Sequence, residues 1–360
     1  MQNKIKWPIV NLESKYFVLK ELGSGSYGTV SLAVAKADEN VASRATKFAV
    51  KLIQQDVDAE YADREVRMLL AIKEEPCNEN VICFVENFIT DATREYVIVT
   101  RYVSGTLMYK TPIPSAAAYK SIVKSCLEAL HFIHSRNVVH RDIKNDNIMI
   151  INANSLAPMV VFLDFGIGCN GVDDCIRQPH SVDEHKSPEQ IVEVFEKKRL
   201  SFAQYKASDV WFLALALYIL GTNKKLFTDK KERLFLEAKR KEREIIQTDA
   251  ERQQLEKTIL QAKKDLYNSL RKQHNETLGG KTMLESKMYK NILPTINAAR
   301  VCKLVLLEML QLDWRRRLLP QTGLMMIEKY EVDSLKKGFV GDEQEFGFIT
   351  NPPDLIEEEL

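Results

Sequence analysis

The spacing of apolar residues in the first hundred residues predicts several β-strands interrupted by one helix. Residues 16–35 place β-branched and aromatic residues on both sides of a glycine cluster, which predicts two strands joined by a turn. Between 58 and 75 the apolar residues recur at helical spacing and predict a helix, with Val66, Leu69, Leu70 and Ile72 on its buried side. Further strands are predicted at 47–53, 80–89 and 95–103.

The second part of the chain has a helical pattern. From Ser115 onward, apolar residues at helical spacing predict helices over 115–135, 208–220 and 298–312. A strand-rich part followed by a helix-rich part is typical of an α+β fold, here with two lobes. We divide the chain into an N-terminal extension, a small lobe, a large lobe and a tail, at 1–15, 16–101, 102–330 and 331–360.

Two regions differ from this pattern. Residues 229–278 contain neither Gly nor Pro and are dense in charged side chains, which predicts a long helix or a helical hairpin inserted into the large lobe. Such an insertion either packs on its own lobe or recruits a partner protein. The tail after Gly341 has seven acidic residues and no basic one, which favours a solvated, flexible end.

Composition narrows the classes of partner. With 45% hydrophobic residues, 28% charged residues and a net charge of +1, the chain has no overall field that would favour nucleic acid or a membrane surface. We expect no secretory signal, and the apolar stretch 210–220 is too short to span a bilayer. The six cysteines form no metal-ligand pattern, so we expect reduced thiols in a cytoplasmic or nuclear protein.

A glycine motif lies between the first two predicted strands. In "GSGSYGTV", Gly23, Gly25 and Gly28 have the GxGxxG spacing that lets backbone N–H groups approach phosphates. A dinucleotide-binding fold uses the same spacing but continues from strand into helix. Here Val30 begins a second strand with alternating apolar residues, so the glycines cap a hairpin.

A lysine and a carboxylate follow the hairpin. Lys51 lies in the predicted strand "FAVK", and Glu65 lies on the predicted helix after it. A lysine held by a carboxylate is suited to binding phosphates as a fixed charge. Glu60 and Glu74 lie on the same helix, but Glu65 is preferred because Leu69, one turn later, then faces the core.

Two polar loops contain the remaining candidate catalytic and metal-binding residues. The octet "HRDIKNDN" (140–147) spaces Asp142, Lys144 and Asn147 so that a base, a cation and a metal ligand approach one phosphoryl group. In "VVFLDFGIG", a predicted strand delivers Asp164 to a turn.

Later motifs complete a recognisable order. "KSPEQ" contains Glu189, "SDVW" contains Asp209 and "LDWRRRL" contains Arg317. Taken together, these motifs resemble those of eukaryotic-type protein kinases over roughly residues 16–330. Lys144, two residues after Asp142, resembles the serine/threonine class.

The resemblance implies a reaction. Asp142 would act as the catalytic base for a Ser or Thr hydroxyl of a protein substrate, and Lys144 would balance charge on the transferred phosphoryl group. Lys51, paired with Glu65, would bind the phosphates of ATP. Asn147 and Asp164 would bind Mg²⁺.

The resemblance also implies an adenine site and a hydrophobic stack. Thr100 would be the gatekeeper, and the stack would comprise Leu69, Phe84, His140 and Phe165. The implied nucleotide-binding residues are Leu22, Gly23, Gly25, Gly28, Val30, Ala49, Lys51, Thr100, Arg101, Val103, Met149 and Asp164.

The activation segment, 164–189, departs from the family pattern. Its hydroxyl residues are Ser181 and Ser187, and Val182 lies where the serine/threonine class has Thr. We interpret Asp173 or Asp174 as a permanent substitute for a phosphate beside Arg141; the alternative is a pair of solvated loop carboxylates. Cys169 and Cys175 are either redox-sensitive or, as we favour, buried or indifferent thiols.

Three functions fit the sequence. The first is an ATP-dependent serine/threonine protein kinase, and the second is a pseudokinase or scaffold that acts through its insertion. The third is a kinase of small molecules, which shares the core but usually lacks the SPE-type segment and the late arginine. Retention of Lys51, Asp142, Asn147 and Asp164 favours the first.

Overall fold

A computed structural model of the protein describes residues 5–25, 28–41, 45–53, 59–112, 114–171, 174–175, 187–190, 199–226, 261, 277–278, 281–282, 300–311 and 313–336. Several sequence predictions concern residues outside these ranges. They are those on Asp173, Ser181 and Val182, on the tail after Gly341, and on all but a few residues of the insertion at 229–278. The α+β fold with a strand-rich part and a helical part is confirmed.

The N-terminal lobe is built on a six-stranded sheet with the order β1-β5-β6-β4-β3-β2. Its neighbouring strands pair antiparallel except for β1 and β5, which are parallel. The predicted strand at 47–53 is β4 over the same residues. The strands are β1 (Ile9–Val10), β2 (Tyr16–Gly25), β3 (Gly28–Ala35), β4 (Lys47–Ile53), β5 (Phe84–Thr90) and β6 (Tyr96–Arg101).

A short helix, α1 (Leu12–Lys15), connects β1 to β2, and a longer helix packs against the sheet. This longer helix is α2 (Ala59–Ala71), which buries Glu65 together with apolar residues. Leu70, which we predicted on the buried side, is 45% exposed. It follows Asp63 and Arg67 at helical spacing, so it lies on the more polar stripe of α2 rather than among the buried residues.

The C-terminal lobe is mainly helical. Its helices are α3 (Ala116–Ser135), α4 (Phe202–Thr222), α5 (Arg300–Met309) and α6 (Pro320–Lys336). The sequence sets the starts of α3 and α4. Ser115 accepts a hydrogen bond from Ala118 N at the start of α3, and Ser201 forms a reciprocal capping box with Gln204 at the start of α4. α4 is buried along almost its whole length, as its apolar sequence predicts.

Short strands position the polar loops at the front of this lobe. β9 (Ile148–Ile151) pairs with β10 (Met159–Phe162) and with β7 (Thr106–Leu107). β8 (Val138–Val139) pairs with β11 (Cys169–Asn170). The loop 140–147 therefore lies between β8 and β9, and the turn at Asp164 lies between β10 and β11. A further small hairpin joins β12 (Thr277–Leu278) to β13 (Lys281–Thr282).

The cysteines differ from the prediction. Cys77 is bonded to Cys83 and Cys169 to Cys175, whereas Cys126 and Cys302 are free and buried. Cys169 and Cys175 are fully buried, as expected, but they are not indifferent thiols. The expectation of reduced thiols was wrong because the two cysteines of each pair are only six positions apart and meet locally, at a spacing that is not a recognisable metal or disulfide pattern.

Within the parts of the chain that the structure describes, none of the helices combines the length and the apolar content that crossing a membrane requires.

Candidate functional site

The loop 140–147 is anchored from below by a buried carboxylate. Asp209, at 0% exposure, accepts hydrogen bonds from the backbone N–H groups of His140 and Arg141, each at 2.8 Å. A third bond joins its Oδ2 to His134 Nε2 at 3.1 Å. Arg141 has a φ of 67°, which is unfavourable for a non-glycine residue, and these contacts hold the backbone in that conformation.

The polar residues of this loop converge on one carboxylate. Lys144 Nζ lies 2.8 Å from Asp142 Oδ2. Asn147 Nδ2 donates to the same oxygen at 2.7 Å and to the Asp142 carbonyl at 2.9 Å. The sequence spacing thus brings Asp142, Lys144 and Asn147 together as predicted. With its amide nitrogen used in this way, Asn147 has its side-chain oxygen available as a ligand.

A second charged cluster joins the two lobes. Lys51 Nζ lies 2.6 Å from Glu65 Oε2 and 3.5 Å from Asp164 Oδ1. Glu65 is therefore the partner among the three glutamates considered, and Glu74 instead pairs with Arg136 at 2.6 Å.

Electrostatics keep Lys51 and Asp164 ionised, whereas burial raises the pKa of Glu65. Burial by itself would lower the pKa of Lys51, but the Glu65 and Asp164 carboxylates raise it above its ordinary value. Burial would raise the pKa of Asp164, but Lys51 and the Gly166 N–H lower it below its ordinary value. Lys51 is thus a cation and Asp164 an anion at neutral pH.

Two glycines are required by close packing. At Gly28 the φ is 148°, and a Cβ would lie 1.9 Å from the Leu52 carbonyl oxygen on β4. At Gly166 a Cβ would lie 2.1 Å from the Tyr61 hydroxyl. Tyr61, on α2, also lies with its ring 5.5 Å from Lys51 Nζ. The sequence analysis missed Tyr61, although its position one turn before Glu65 on a predicted helix was available as a signal.

The predicted adenine site lies along three neighbouring strands. Val30 pairs with Lys51 and Ala49 pairs with Thr100, so these side chains lie on adjacent strands. Thr100 is buried, and Leu22, near the end of β2, is 40% exposed. Gly23 pairs with Val30, and Gly25 pairs with Gly28 at the end of the hairpin.

The remaining predicted contacts lie at the junction of the lobes. Arg101 ends β6 and donates its N–H to the Cys83 carbonyl at 2.8 Å. Val103 follows, half-buried, and Met149 lies on β9, where it pairs with Leu107.

The predicted stack is buried throughout. Leu69, Phe84, His140 and Phe165 are each at most 6% exposed. His140 and Phe165 are in contact, with ring centroids 4.7 Å apart. His140 Nε2 also lies 2.9 Å from the Leu163 carbonyl, which links the loop 140–147 to the turn at Asp164.

The late arginine pairs with the glutamate of the SPE segment. Arg317 Nη1 lies 2.6 Å from Glu189 Oε1, and Nη2 lies 3.0 Å from Oε2. Both residues are almost fully buried, at 2% and 5% exposure. A bidentate pair of this kind fixes the end of the activation segment against α4, because Arg317 also donates to the Ala207 carbonyl.

The start of the activation segment differs from the prediction. Asp174 is 4% exposed, and its ion pair is formed with Arg67 on α2, at 3.9 Å, rather than with Arg141. Its other carboxylate oxygen accepts from Asn170 N at 3.0 Å. Arg141 instead lies over the ring of Tyr205 and donates to the Ile167 carbonyl. The turn closed by Cys169 and Cys175 faces α2, which explains the change of partner.

Comparisons with known proteins agree with this geometry. The family model described as "Protein kinase domain" matches residues 16–325. The chain is 25% identical over 223 residues to a serine/threonine-protein kinase stk11 homolog of Dictyostelium discoideum, covering 58% of this chain and 35% of the relative. It is 29% identical over 141 residues to the serine/threonine-protein kinase max-2 of Caenorhabditis elegans, covering 38% and 20%.

A third relative is the mitogen-activated protein kinase spm1 of Schizosaccharomyces pombe, 27% identical over 234 residues, covering 61% of this chain and 51% of the relative. The chain thus spans from a fifth to about half of the length of these curated relatives. The family model, in contrast, spans most of the chain and includes every charged pair described above. This chain belongs to the protein kinase domain family.

Proposed function

We propose that the protein is an ATP-dependent serine/threonine protein kinase that transfers the γ-phosphoryl group of Mg-ATP to a Ser or Thr hydroxyl of a protein substrate. The observation that carries the proposal is the pairing of Lys51 with Glu65 at 2.6 Å while Asp142 and Asn147 are hydrogen-bonded to each other. A chain that merely bound a partner would need neither arrangement.

The residues of the loop 140–147 have distinct parts in the proposed reaction. Asp142 orients the substrate hydroxyl and receives its proton. Lys144 lies 2.8 Å from the Asp142 carboxylate, where its charge opposes the negative charge of the transferred group. Lys51, fixed by Glu65, binds the phosphates of the nucleotide.

The donor set fits magnesium. An amide oxygen of Asn147 and the carboxylate of Asp164 are hard oxygen ligands, and Mg²⁺ is usually held by one or two such ligands together with substrate phosphates. Among the described residues, His, Cys, Asp and Glu side chains do not gather in threes to form an all-protein metal cage. When bound, the ion neutralises charge on the phosphates. The chain's own contribution is to orient both ligands, through the Asn147–Asp142 bond and the backbone bond from Leu163 N to the Asn147 carbonyl.

A transfer assay with radiolabelled ATP and generic protein substrates tests the proposal. We expect Ser and Thr to be labelled, and we expect Asp164→Asn and Lys51→Met each to lower turnover by about three orders of magnitude, because this chemistry depends on electrostatic positioning. Melting temperatures of both variants should stay close to that of the wild type, since neither residue belongs to the apolar core.

The control is Asp91→Asn, a charge removal on an exposed residue outside the site. Near-wild-type turnover by both site variants would remove the proposal. A wild-type protein that binds a partner but transfers no phosphate would favour the scaffold alternative, and labelling of small molecules instead of protein would favour the third.

The finer assignments rest on the same proposal. We propose protein substrates, a partner protein at the insertion 229–278, and a cytoplasmic or nuclear location. The location is proposed independently of the cysteines, because the expected reduced thiols are replaced by two disulfides. The net charge of +1 supports the view that neither nucleic acid nor a membrane is the target.

A further inference from the structure

The first described residues, 5–11, form a strap along the edge of the N-terminal sheet. Ile9 pairs with Ile89 in the parallel register of β1 and β5. Backbone bonds fix the strap on both sides of this pair, from Ile89 N to the Pro8 carbonyl at 2.8 Å and from Asp91 N to the Val10 carbonyl at 3.1 Å. Asn87 Nδ2 adds a bond to the Lys6 carbonyl at 2.8 Å. The strap is therefore part of the sheet, not a loose extension.

Trp7 connects this strap to α2. Its indole Nε1 donates to Asp63 Oδ1 at 2.5 Å. Its ring lies edge-on to Tyr96 on β6, with centroids 4.8 Å apart and an interplanar angle of 74°. Ile5 and Trp7 also pack against the main apolar core. One side chain thus contacts both the sheet and the helix that carries Glu65.

The position of Asp63 matters because Glu65 lies on the same helix, so the orientation of α2 determines whether Glu65 reaches Lys51. Asp63 lies two residues before Glu65, on the more polar stripe of α2, while Glu65 faces Lys51 on β4. A bond from an indole N–H to a carboxylate is charge-assisted, and it is stronger than a neutral hydrogen bond of the same length. Holding Asp63 against the strap therefore limits rotation and displacement of the turn that carries Glu65.

We propose that Trp7 is a positioning residue for phosphotransfer, which holds α2 in the orientation that pairs Glu65 with Lys51. It does not touch the reacting atoms. The inference rests on the proposed function, since it concerns the phosphate-binding lysine of that function.

Loss of the Trp7–Asp63 bond has a specific consequence for nucleotides. When α2 moves away, Lys51 loses Glu65 and pairs more closely with Asp164, which already lies 3.5 Å from it. The lysine is then withdrawn from the phosphates. Binding of ATP weakens, whereas binding of adenosine, which has no phosphate to contact Lys51, does not change.

The experiment compares Trp7→Phe and Asp63→Ala with wild-type protein. Trp7→Phe keeps a ring against Tyr96 but removes the N–H donor, and Asp63→Ala removes the acceptor. We expect each to raise the KM for ATP by about fivefold to tenfold, in line with loss of a partly buried charge-assisted bond. The double variant should be no worse than either single variant, and the dissociation constant for adenosine should stay at the wild-type value.

Two further variants separate positioning from general loosening. Asp63→Asn retains a side-chain oxygen acceptor and should recover most of the ATP affinity lost in Asp63→Ala. Asp91→Ala removes a contact of the same strap, the bond from Asn11 Nδ2 to Asp91 Oδ2, without touching α2. It should bind ATP like the wild type.

The inference is overturned if Trp7→Phe and Asp63→Ala have wild-type KM values. It is also overturned if ATP and adenosine binding weaken equally together with a lower melting temperature, or if Asp91→Ala reproduces the loss. Failure of the wild-type protein itself to bind ATP would instead remove the proposed function, and this inference with it.

Discussion

Asp209 shows how one residue determines the shape of the catalytic loop. It is fully buried, and its two carboxylate oxygens accept from two backbone N–H groups and one histidine ring. A buried carboxylate is costly unless such donors compensate its charge. The hydrogen bonds to Asp209 therefore offset the unfavourable positive φ of Arg141. As a result, Asp142 is oriented towards Lys144 and Asn147.

The histidine in this network makes the stability pH-dependent. Burial lowers the pKa of His134 below its ordinary value of 6.5, against the opposing effect of Asp209. Lys206 and His131 act in the same direction as burial. In the folded protein His134 is thus neutral at a pH where the unfolded chain already binds a proton. Stability attributable to this residue is full above the unfolded pKa and falls as the pH drops below it.

We expect the free energy of unfolding to fall between about pH 7 and pH 5.5 with a slope from this residue of at most about 1.4 kcal/mol per pH unit. His134→Gln should flatten that slope, because glutamine keeps a donor for Asp209 and does not titrate. Urea unfolding of the wild type and of the variant at both pH values measures this. A variant slope equal to that of the wild type would contradict the assignment.

The residues of the loop 140–147 could be predicted from sequence because each is fixed by its spacing within that loop. Asp142, Lys144 and Asn147 lie within six residues of each other, and the structure brings them together. Trp7 and Asp63 could not be paired in this way. They are 56 residues apart in sequence, and neither lies in a motif, so their contact depends on how the strap meets the sheet.

At the scale of elements, α2 is held by contacts from two other segments of the chain. Asp174 reaches Arg67, and Trp7 reaches Asp63 from the strap. Arg67 and Asp63 lie one turn apart on the same stripe of α2. The helix that carries Glu65 is therefore held from the activation segment and from the N-terminal strap, by contacts within this chain.

This arrangement predicts activity without a phosphate on the activation segment. Protein made in bacteria and treated with phosphatase should remain active, because the Asp174 carboxylate already supplies the negative charge beside Arg67. Asp174→Asn should lower kcat/KM by about fivefold to tenfold, since it leaves the half-buried Arg67 without that charge.

Ser181→Ala serves as the comparison and should have a smaller effect than Asp174→Asn. Complete inactivation of the wild-type protein by phosphatase would show that a phosphorylated residue is required and that the carboxylate does not replace it.

Elements with a clear apolar segment could be predicted closely, whereas short edge elements could not. The apolar segment 47–53 coincides with β4, and the apolar run 210–220 lies inside α4. β1 has two residues and no period, and it pairs with β5, eighty residues away. Its formation depends on the exposed edge of an existing sheet, which local sequence does not encode.

At the scale of the whole molecule, the described helices that precede and follow residues 229–278 are neighbours. Residues from the end of α4 and the start of α5 line the same small cavity, among them Tyr218, Thr222, Cys302 and Leu306. Asn223 ends α4 in the left-handed conformation, with a φ of 52°, and Leu226 is buried beside it. The end of α4 and the start of α5, which are the described helices before and after 229–278, thus lie side by side.

Among the described residues, the core of the lobe around this place includes both α4 and α5. α4 and α5 contribute buried residues to the main apolar cluster, and Arg317 pairs with Glu189 behind them. The charged pairs of the active site lie at 51–65, 142–147 and 164. Every described contact that supports nucleotide binding is therefore made by residues outside 229–278.

We accordingly expect residues 230–276 to be dispensable for ATP binding. Replacing them with a short Gly/Ser linker should leave ATP affinity within about twofold of the wild type, since the free energy of loop closure depends only weakly on loop length. The hairpin of Thr277–Leu278 with Lys281–Thr282 is retained in this variant. Phosphorylation of a generic peptide should persist, while capture of protein partners or large protein substrates should weaken.

A matched variant that replaces the lysines and arginines of 230–276 by glutamine, with the length unchanged, tests whether any loss arises from charge. If the deletion instead lowers the melting temperature sharply or abolishes ATP binding, the segment is part of the folded lobe and packs on it.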